Sequence, residues 1–301
     1  MTAQKYRTVV LGNFDGLHIG HQQLIQLGRA IADEQQEELA VFTFYPQMQA
    51  MFDADFCYLL PETEKLAHLR QLRVDVVETV PFAEQVARLS PEAFVQTILV
   101  EKMRARHVVV GFNYSFGYRG AGSPDLLRKL GAQCGIGVTV MEPCRINDEV
   151  VSSTAIRQYL KEGAVEKANQ MLGYAYAIAG PVCHGNEIGR TIGFPTANIS
   201  VAPHILLPAN GVYAALTTVD GKVYPSILNI GLRPTIEKSV GLTVEVNLLD
   251  FHADIYGKEI RTELHAFLRP EQKFSGLDGL KAQLQRDEAR AREFFAAYEK
   301  K

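Results

Sequence analysis

Two histidines close to the start of the chain have the spacing of an anion-binding site. His18 and His21 end a glycine-rich segment that starts at Gly12, directly after a short apolar run. Once helical, side chains three residues apart face the same way, and imidazoles can donate hydrogen bonds to a polyphosphate, a contact that protonation would strengthen. Gly12 and Gly16 permit a tight turn, and Gly20 allows close approach by a phosphate. A turn and an exposed helix face explain each residue alone, but their combination predicts an anion site.

A second polar segment, Ser152-Ser153-Thr154, begins another predicted helix in the same half of the chain. Small hydroxyl side chains at a helix start cap the free backbone N–H groups. They also serve as donors to phosphate oxygens, and Arg157, one turn later, adds a planar fork of N–H groups. The residues alone leave both interpretations open.

A third segment, from Cys183 to Asn198, is rich in glycine where a predicted strand ends. Gly185, Gly189 and Gly193 are placed to form a flap whose backbone N–H groups wrap phosphates. Thr196 and Asn198 are two residues apart, so an extended backbone directs both side-chain oxygens to one face. Hydroxyl and amide oxygens are suitable ligands for Mg²⁺. A glycine-rich hairpin with a Pro-Thr turn fits this segment equally well.

The elements around the first two segments predict a doubly wound α/β sheet. Short apolar runs bounded by glycine, proline or charge are typical of buried parallel strands, and helix patterns separate them. The predicted strands are Arg7–Leu11, Leu39–Phe44, Val74–Val80, His107–Gly111 and Gly137–Met141, and the predicted helices are Gly20–Ala32, Pro61–Leu72 and Pro91–Met103. Such sheets bind ligands outside the carboxyl ends of their strands, where Gly12 and His18 lie.

The pattern changes near Gly173, where a series of strand-like runs replaces the alternation. Because no helix separates these runs, they predict a small closed antiparallel barrel, in which closure removes the exposed edges. The runs are Ala175–Val182, Gly211–Val219, Lys222–Asn229, Leu242–Leu249 and Glu259–Phe267, followed by one helix at Leu277–Tyr298. Short helices over Val151–Leu172 join the halves, which predicts two domains, residues 1–172 and 173–301.

Composition excludes several classes of protein. The chain has 301 residues, 47% of them hydrophobic and 22% charged, with a net charge of −3. This composition excludes an intrinsically disordered protein. The negative net charge gives no overall attraction for nucleic acid or for an anionic membrane. No apolar run reaches membrane length, and the four cysteines form no CxxC pair. Reduced thiols predict a cytoplasmic protein without nucleic-acid or membrane partners, and nothing in the sequence indicates an oligomeric state.

The motifs of the first half are GxFDGxHxGH at 12–21 and SSTxIR at 152–157, with further blocks at Leu60–Lys65, Leu89–Phe94 and Gly111–Gly117. Together they resemble the FAD synthetase module of the bacterial bifunctional riboflavin kinase/FAD synthetase family, within the nucleotidyltransferase superfamily that carries HxGH. The segment Thr43–Met48 departs from that family, which usually has a second proline after Pro46.

This resemblance implies transfer of the AMP unit of ATP to FMN, giving FAD and pyrophosphate. FMN already presents an anionic oxygen, so catalysis consists of alignment and charge stabilisation. The resemblance assigns this work to His18, His21, Ser153 and Arg157, with Mg²⁺ bridging phosphate oxygens. It also implies nucleotide or flavin contacts at Gly12, Phe14, Asp15, Gly20, Asn113, Ser152 and Thr154. Asp15 is left open as a metal ligand or a turn residue.

The second half contains GRTIGFPTANI at 189–199, Asn229–Thr235 and Thr243–Phe251, which are similar to blocks of riboflavin kinases. The resemblance implies that ATP phosphorylates riboflavin to FMN and that Glu245 is the base toward the ribityl 5′-hydroxyl. It further implies nucleotide or flavin contacts at Gly189, Gly193, Asn229 and Arg233, and Mg²⁺ ligands at Thr196 and Asn198. From the strand pattern alone, Glu245 is an outward-facing residue between two valines.

Three alternatives account for part of these observations. A kinase whose first half only binds a nucleotide is disfavoured by the intact HxGH and SSTxIR segments. A flavin carrier without turnover is disfavoured by Glu245 together with the Thr196 and Asn198 pair, and an RNA-binding protein by the acidic balance. The favoured prediction is an enzyme with two activities whose partners are riboflavin, FMN, FAD, ATP and ADP, with Mg²⁺ as cofactor.

Overall fold

The structure, a computed structural model, describes residues 5–47, 50–51, 53–81, 84–185, 193–234 and 240–298. The chain divides into two compact units, Met1–Ser153 and Thr154–Lys301. The first unit is built on a parallel sheet and the second on a closed barrel. This confirms the predicted fold class, an α/β unit followed by an all-β unit.

A five-stranded parallel sheet forms the centre of the first unit. Its strands are β1 (Arg7–Leu11), β2 (Glu38–Phe44), β3 (Val76–Val80), β4 (Ala105–Gly111) and β5 (Gly137–Met141). They lie in the order β3-β2-β1-β4-β5, and all neighbours are parallel. The strand order switches beside β1, which is where open α/β sheets bind ligands. All five strands confirm the predictions.

Helices cover both faces of this sheet. They are α1 (Ile19–Gln35), α2 (Glu62–Gln71), α3 (Glu84–Ala87), α4 (Pro91–Phe94), which continues as a π-helix over Val95–Lys102, and α5 (Pro124–Gln133). Alternation along β1 buries Val9 and Leu11 in one apolar cluster and Val10 in the other. Helix α5 is an addition to the prediction. A short antiparallel pair follows, β6 (Arg145–Ile146) and β7 (Glu149–Val150).

Six strands close the barrel of the second unit. They are β8 (Ala177–Cys183), β9 (Ala197–Ile199), β10 (Gly211–Val219), β11 (Lys222–Pro234), β12 (Val240–Leu248) and β13 (Glu259–Arg269), in the order β10-β11-β12-β9-β8-β13. The sequence predicts five of these strands. The sixth, β9, has only three residues and lies in the glycine-rich segment, so its pattern is too short to be recognised.

Two helices precede the barrel, α6 (Ser153–Lys161) and α7 (Val165–Leu172). Asn169 on α7 donates to the carbonyl of Leu264 at 2.8 Å and accepts from the backbone N–H of Tyr176 at 2.8 Å. These contacts join α7 to the barrel, and α7 falls within the second compact unit, Thr154–Lys301. The domain division predicted from the sequence, 1–172 and 173–301, stays a prediction. The segment that each activity requires stays a prediction.

The last helix, α8 (Leu277–Tyr298), packs on the outside of the barrel. Its Ala291 and Phe295 share an apolar cluster with Val212 of β10. Its Asp287 is completely buried and accepts hydrogen bonds from Arg269 of β13 at 2.7–3.0 Å. Among the described helices, none has the length and apolar character needed to cross a membrane.

Candidate active sites

The turn after β1 has an unusual backbone. Phe14 and Leu17 have positive φ angles of 52° and 37°, a region that bulky residues rarely adopt. Gly16, with φ of 74°, adopts the same region without steric cost because glycine has no Cβ atom. A single 3₁₀ turn, Asp15–Leu17, then leads to His18, the N-cap of α1. Strained backbone of this kind is common at functional sites.

The two histidines stack face to face. Their ring centroids lie 3.6 Å apart with an interplanar angle of 14°. His18 lies just before the helix and caps it, because its Nδ1 accepts from the backbone N–H of His21 at 3.2 Å. The neutral His18 ring therefore carries its proton on Nε2. The ring of Phe14 meets His21 edge to face, with centroids 5.3 Å apart.

Burial keeps both imidazoles neutral. Loss of solvent lowers the pKa of His18 from 6.5 to about 4. Burial also holds the pKa of His21 well below its usual value, and the charge that His18 would carry acts in the same direction. The Nδ1 atom of His21 is buried and has no hydrogen-bond partner among the described residues. A buried polar atom without a partner is typical of a ligand-binding position.

Asp15 and Ser153 tie the two motifs of the first unit together. The Ser153 hydroxyl donates to the Asp15 carbonyl at 2.9 Å, and the Asp15 carboxylate accepts from the backbone N–H of Leu59 at 3.0 Å. Asp15 is nearly completely buried. These contacts support the turn interpretation of Asp15. They also give Ser153 a contact that fixes the turn, in addition to the phosphate role predicted for it.

The glycines of this motif are closely packed. A Cβ on Gly12 would lie 3.0 Å from the Phe14 ring, and one on Gly20 would lie 3.3 Å from the His18 ring and 3.4 Å from Cβ of Cys144. A side chain at Gly20 would therefore press on the His18 ring, whether or not a phosphate approaches this position as predicted.

The remaining first-site residues lie at several places. Asn113 is exposed just after β4, the strand beside β1. Ser152 is half-buried before α6, and Thr154 is exposed on it. Arg157 is half-buried on α6 within the second compact unit. The roles of these four residues toward a nucleotide stay predictions.

In the barrel, strand register gathers three predicted site residues. Glu245 on β12 is directly opposite Asn198 on β9 and directly opposite Asn229 on β11. Directly opposed residues of antiparallel strands project on the same face. The neighbours Val244 and Val246 are buried on the other face. Glu245 therefore shares the outer face of the barrel with both amides.

The same row continues on each side. Asn229 is opposite Val212, which packs with α8, and Asn198 is opposite Cys183 on β8. This row of opposed residues therefore runs along the outer face from the exposed thiol of Cys183 to Val212, which contacts α8. Sequence reasoning did not select Cys183 as part of the site, because its place depends on the pairing of β8 with β9.

The remaining barrel residues surround this row. Thr196 is half-buried immediately before β9, and Gly193 makes a turn with φ of 83°. Arg233 belongs to β11, and its side chain lies outside the described residues, as does all of Gly189.

Family models match both halves of the chain. A model described as FAD synthetase matches residues 1–155, and one described as riboflavin kinase matches residues 172–295. A bifunctional riboflavin kinase/FMN adenylyltransferase from Listeria monocytogenes is 41% identical over 97% of this chain and 94% of its own length. The chain belongs to this family.

Other members and a solved structure agree with this assignment of the fold. Bifunctional riboflavin kinase/FMN adenylyltransferases of Bacillus subtilis and Escherichia coli are 36% and 38% identical, over 97% and 95% of this chain and 94% and 92% of theirs. A crystal structure described as a macrolide-efflux protein from Streptococcus pneumoniae is 30% identical with a TM-score of 0.89, covering 96% of this chain and 95% of that one. The riboflavin kinase/FMN adenylyltransferase fold therefore extends to that protein.

In this family member, polar contacts to the HxGH turn come from residues that the motifs do not include. Thr43 and Gln47 each donate to the carbonyl of Asn13, and Gln22 donates to the carbonyl of Leu17. The departure of Thr43–Met48 from the family pattern pointed to this region, but the contacts themselves depend on how β2 lies beside β1.

Proposed function

We propose that this chain phosphorylates riboflavin to FMN at the barrel and adenylylates FMN to FAD at the parallel sheet, with ATP as the co-substrate of both reactions. The observation that carries the proposal is the placement of Glu245 opposite Asn198 and Asn229 on one barrel face. That row lies in a different unit from the stacked His18 and His21. Two separate sites therefore serve two reactions.

Adenylyl transfer at the first site requires alignment rather than a protein nucleophile. An oxygen of the FMN phosphate bonds to the α-phosphorus of ATP, the α–β bridging bond breaks, and pyrophosphate leaves. The neutral His18 and the unpartnered Nδ1 of His21 supply hydrogen bonds to the triphosphate, which gathers charge as pyrophosphate departs. Ser153 holds the turn through its hydrogen bond to the Asp15 carbonyl.

Phosphoryl transfer at the barrel needs a proton acceptor. Glu245 accepts the proton of the ribityl 5′-hydroxyl as that oxygen bonds to the γ-phosphorus, and ADP leaves. A positioned carboxylate typically contributes about 10²–10⁴-fold to such a step. The amides of Asn198 and Asn229, on the adjacent strands, hold the reacting groups beside Glu245.

The oxygen donors of the barrel row suit Mg²⁺. The hydroxyl of Thr196 and the amide oxygen of Asn198 are hard ligands, and Asn198 is directly opposite Glu245, whose carboxylate stays available as the base. When bound, Mg²⁺ supplies charge neutralisation on the phosphates. In the first unit, the backbone N–H of Leu59 donates to one oxygen of the Asp15 carboxylate, and Mg²⁺ bound there with the nucleotide would neutralise charge on its phosphates.

None of the four cysteines forms a disulfide bond. Together with the absence of a disulfide framework, they support a cytoplasmic location, where thiols stay reduced.

The test is a crossed pair of variants in which each activity controls for the other. His21→Ala should lower FAD formation from FMN at least ~100-fold, and Glu245→Gln should lower FMN formation from riboflavin by a similar ~100-fold. Each variant should keep the other activity within about twofold, because the substituted residues lie in different compact units and substitutions without a shared contact partner usually act independently. Products are resolved by chromatography after incubation with ATP and Mg²⁺.

Loss of both activities in either variant, with circular dichroism and the unfolding transition unchanged, would contradict the assignment of one reaction to each unit. Retention of FMN formation by Glu245→Gln would remove the carboxylate from its proposed role.

A further inference from the structure

One backbone carbonyl in the first unit is held by two side chains. The carbonyl oxygen of Asn13 accepts from the Thr43 hydroxyl at 3.2 Å and from the Gln47 amide at 3.2 Å. Thr43 is 0% and Gln47 2% exposed, so both donors are buried, although Asn13 itself is an exposed residue. One bond satisfies a carbonyl, but two bonds occupy both lone pairs and fix its direction.

The residues that hold Asn13 are themselves fixed. Thr43 belongs to β2 near its carboxyl end. The backbone N–H of Gln47 donates to the Tyr58 hydroxyl at 3.3 Å. Leu59, next to Tyr58, donates its N–H to the Asp15 carboxylate at 3.0 Å. Residues at the end of β2 and in the segment before α2 therefore hydrogen-bond to the turn at Asn13 and at Asp15, the two neighbours of Phe14.

Phe14 connects these hydrogen bonds to His21 of the proposed adenylyl-transfer site. It follows Asn13 directly, has a left-handed φ of 52° and is completely buried. Its ring meets His21 edge to face at 5.3 Å. A bulky residue leaves the left-handed region readily unless its surroundings hold it there. The Asn13 carbonyl belongs to the peptide unit that joins Asn13 to Phe14. If this carbonyl changed direction, the φ angle of Phe14 would change and the Phe14 ring would move relative to His21.

We propose that Thr43 and Gln47 are positioning residues for adenylyl transfer. Through the Asn13 carbonyl they hold Phe14 in its left-handed conformation, and Phe14 sets the orientation of the His21 ring. This inference rests on the adenylyltransferase function proposed for the first unit. It gives a role to the segment Thr43–Met48, which departs from the family pattern, because Gln47 provides a buried amide donor within that segment.

The experiment removes the two donors without removing much volume. Thr43→Val and Gln47→Met each delete one bond to the Asn13 carbonyl, and the double variant deletes both. The kcat for FAD formation from FMN should fall about 10-fold in each single variant and about 100-fold in the double variant, while the KM for ATP changes less than about threefold, because misplacing a catalytic group acts on turnover.

Two controls separate positioning from stability. Thr43→Ser keeps the hydroxyl and should restore most of the turnover that Thr43→Val loses. Thr8→Val removes another completely buried threonine hydroxyl of the same sheet, which donates to Glu37 at 2.8 Å, and should leave FAD formation within about twofold. Riboflavin phosphorylation, measured in the same preparations, should be unchanged in all variants.

The proposal is overturned if the double variant keeps wild-type kcat, or if Thr43→Ser loses as much turnover as Thr43→Val. If the double variant does not fold, the comparison of those two Thr43 variants decides. An unmodified chain that forms no FAD would instead contradict the proposed adenylyltransferase function.

Discussion

The neutral state of His18 and His21 follows from where their rings lie. They stack on each other, and Phe14 covers His21, so desolvation outweighs any attraction for a proton. The sequence suggested that protonation would strengthen a phosphate contact. In the structure the hydrogen-bond donors are the N–H groups of neutral imidazoles. A bound triphosphate carries negative charge and would raise the pKa of these imidazoles.

This burial makes stability depend on pH through His18. The pKa of His18 is about 4 in the folded chain and 6.5 as the ordinary value. The unfolded chain therefore binds more protons between these values, and stability is complete above pH 6.5 and falls as the pH drops toward 4. At pH 5 the loss from His18 relative to pH 7.5 is roughly 2 kcal/mol.

Urea unfolding at pH 7.5 and pH 5 checks this expectation. His18→Asn keeps a side chain that caps helices and removes the titration, so the first unit of this variant should lose less stability on acidification. Equal losses for His18→Asn and the unmodified chain would show that His18 is not buried as described.

Residue types predicted the HxGH site better than the barrel site. The histidines, glycines and Asp15 lie within one local segment, so their proximity needs no tertiary information. Glu245 alternates with two valines, as any outward residue would. Its significance depends on its pairing with Asn198 and Asn229, which are 47 and 16 positions away along the chain. Only the register of the closed barrel supplies that pairing.

Elements with a strong pattern were predicted with nearly correct bounds. The central strand β1, the edge strand β5 and the helix α8 have the predicted bounds. Helix α5 was missed although its start is well marked, since Ser123 accepts from the N–H of Leu126 at 3.3 Å and Pro124 is the first helical residue. Strand β9 was missed for the opposite reason, because three residues give no periodicity.

Packing around β9 can be tested through Gly185. A Cβ at this position would lie 2.2 Å from the Asn198 amide nitrogen, so Gly185→Ala must displace that side chain from the row that contains Glu245. Riboflavin phosphorylation should fall about 10-fold or more, as expected when a group near the reaction is misplaced. FAD formation from added FMN should not change.

The matched control is Gly276→Ala, because a Cβ there meets no atom within 4 Å among the described residues. This variant should keep both activities. If Gly185→Ala phosphorylates riboflavin as fast as Gly276→Ala, Asn198 does not take part in that reaction.

The complete chain combines two folds whose chemistry is complementary. The product of the barrel reaction is the substrate of the sheet reaction, and each reaction uses a different bond of ATP. The net charge of −3 gives no general attraction for phosphates, so each proposed site needs local donors: neutral imidazoles and a helix start in one, and side-chain amides in the other.

The most direct test follows the phosphorus atoms of ATP. The chain is incubated with riboflavin, Mg²⁺ and ATP labelled at either the γ- or the α-phosphate, and label is measured in separated FMN and FAD. Two sites acting in sequence predict that γ-label enters FMN and is retained in FAD, whereas α-label enters FAD alone. The account is contradicted if α-label never appears in FAD, or if FMN gains no γ-label.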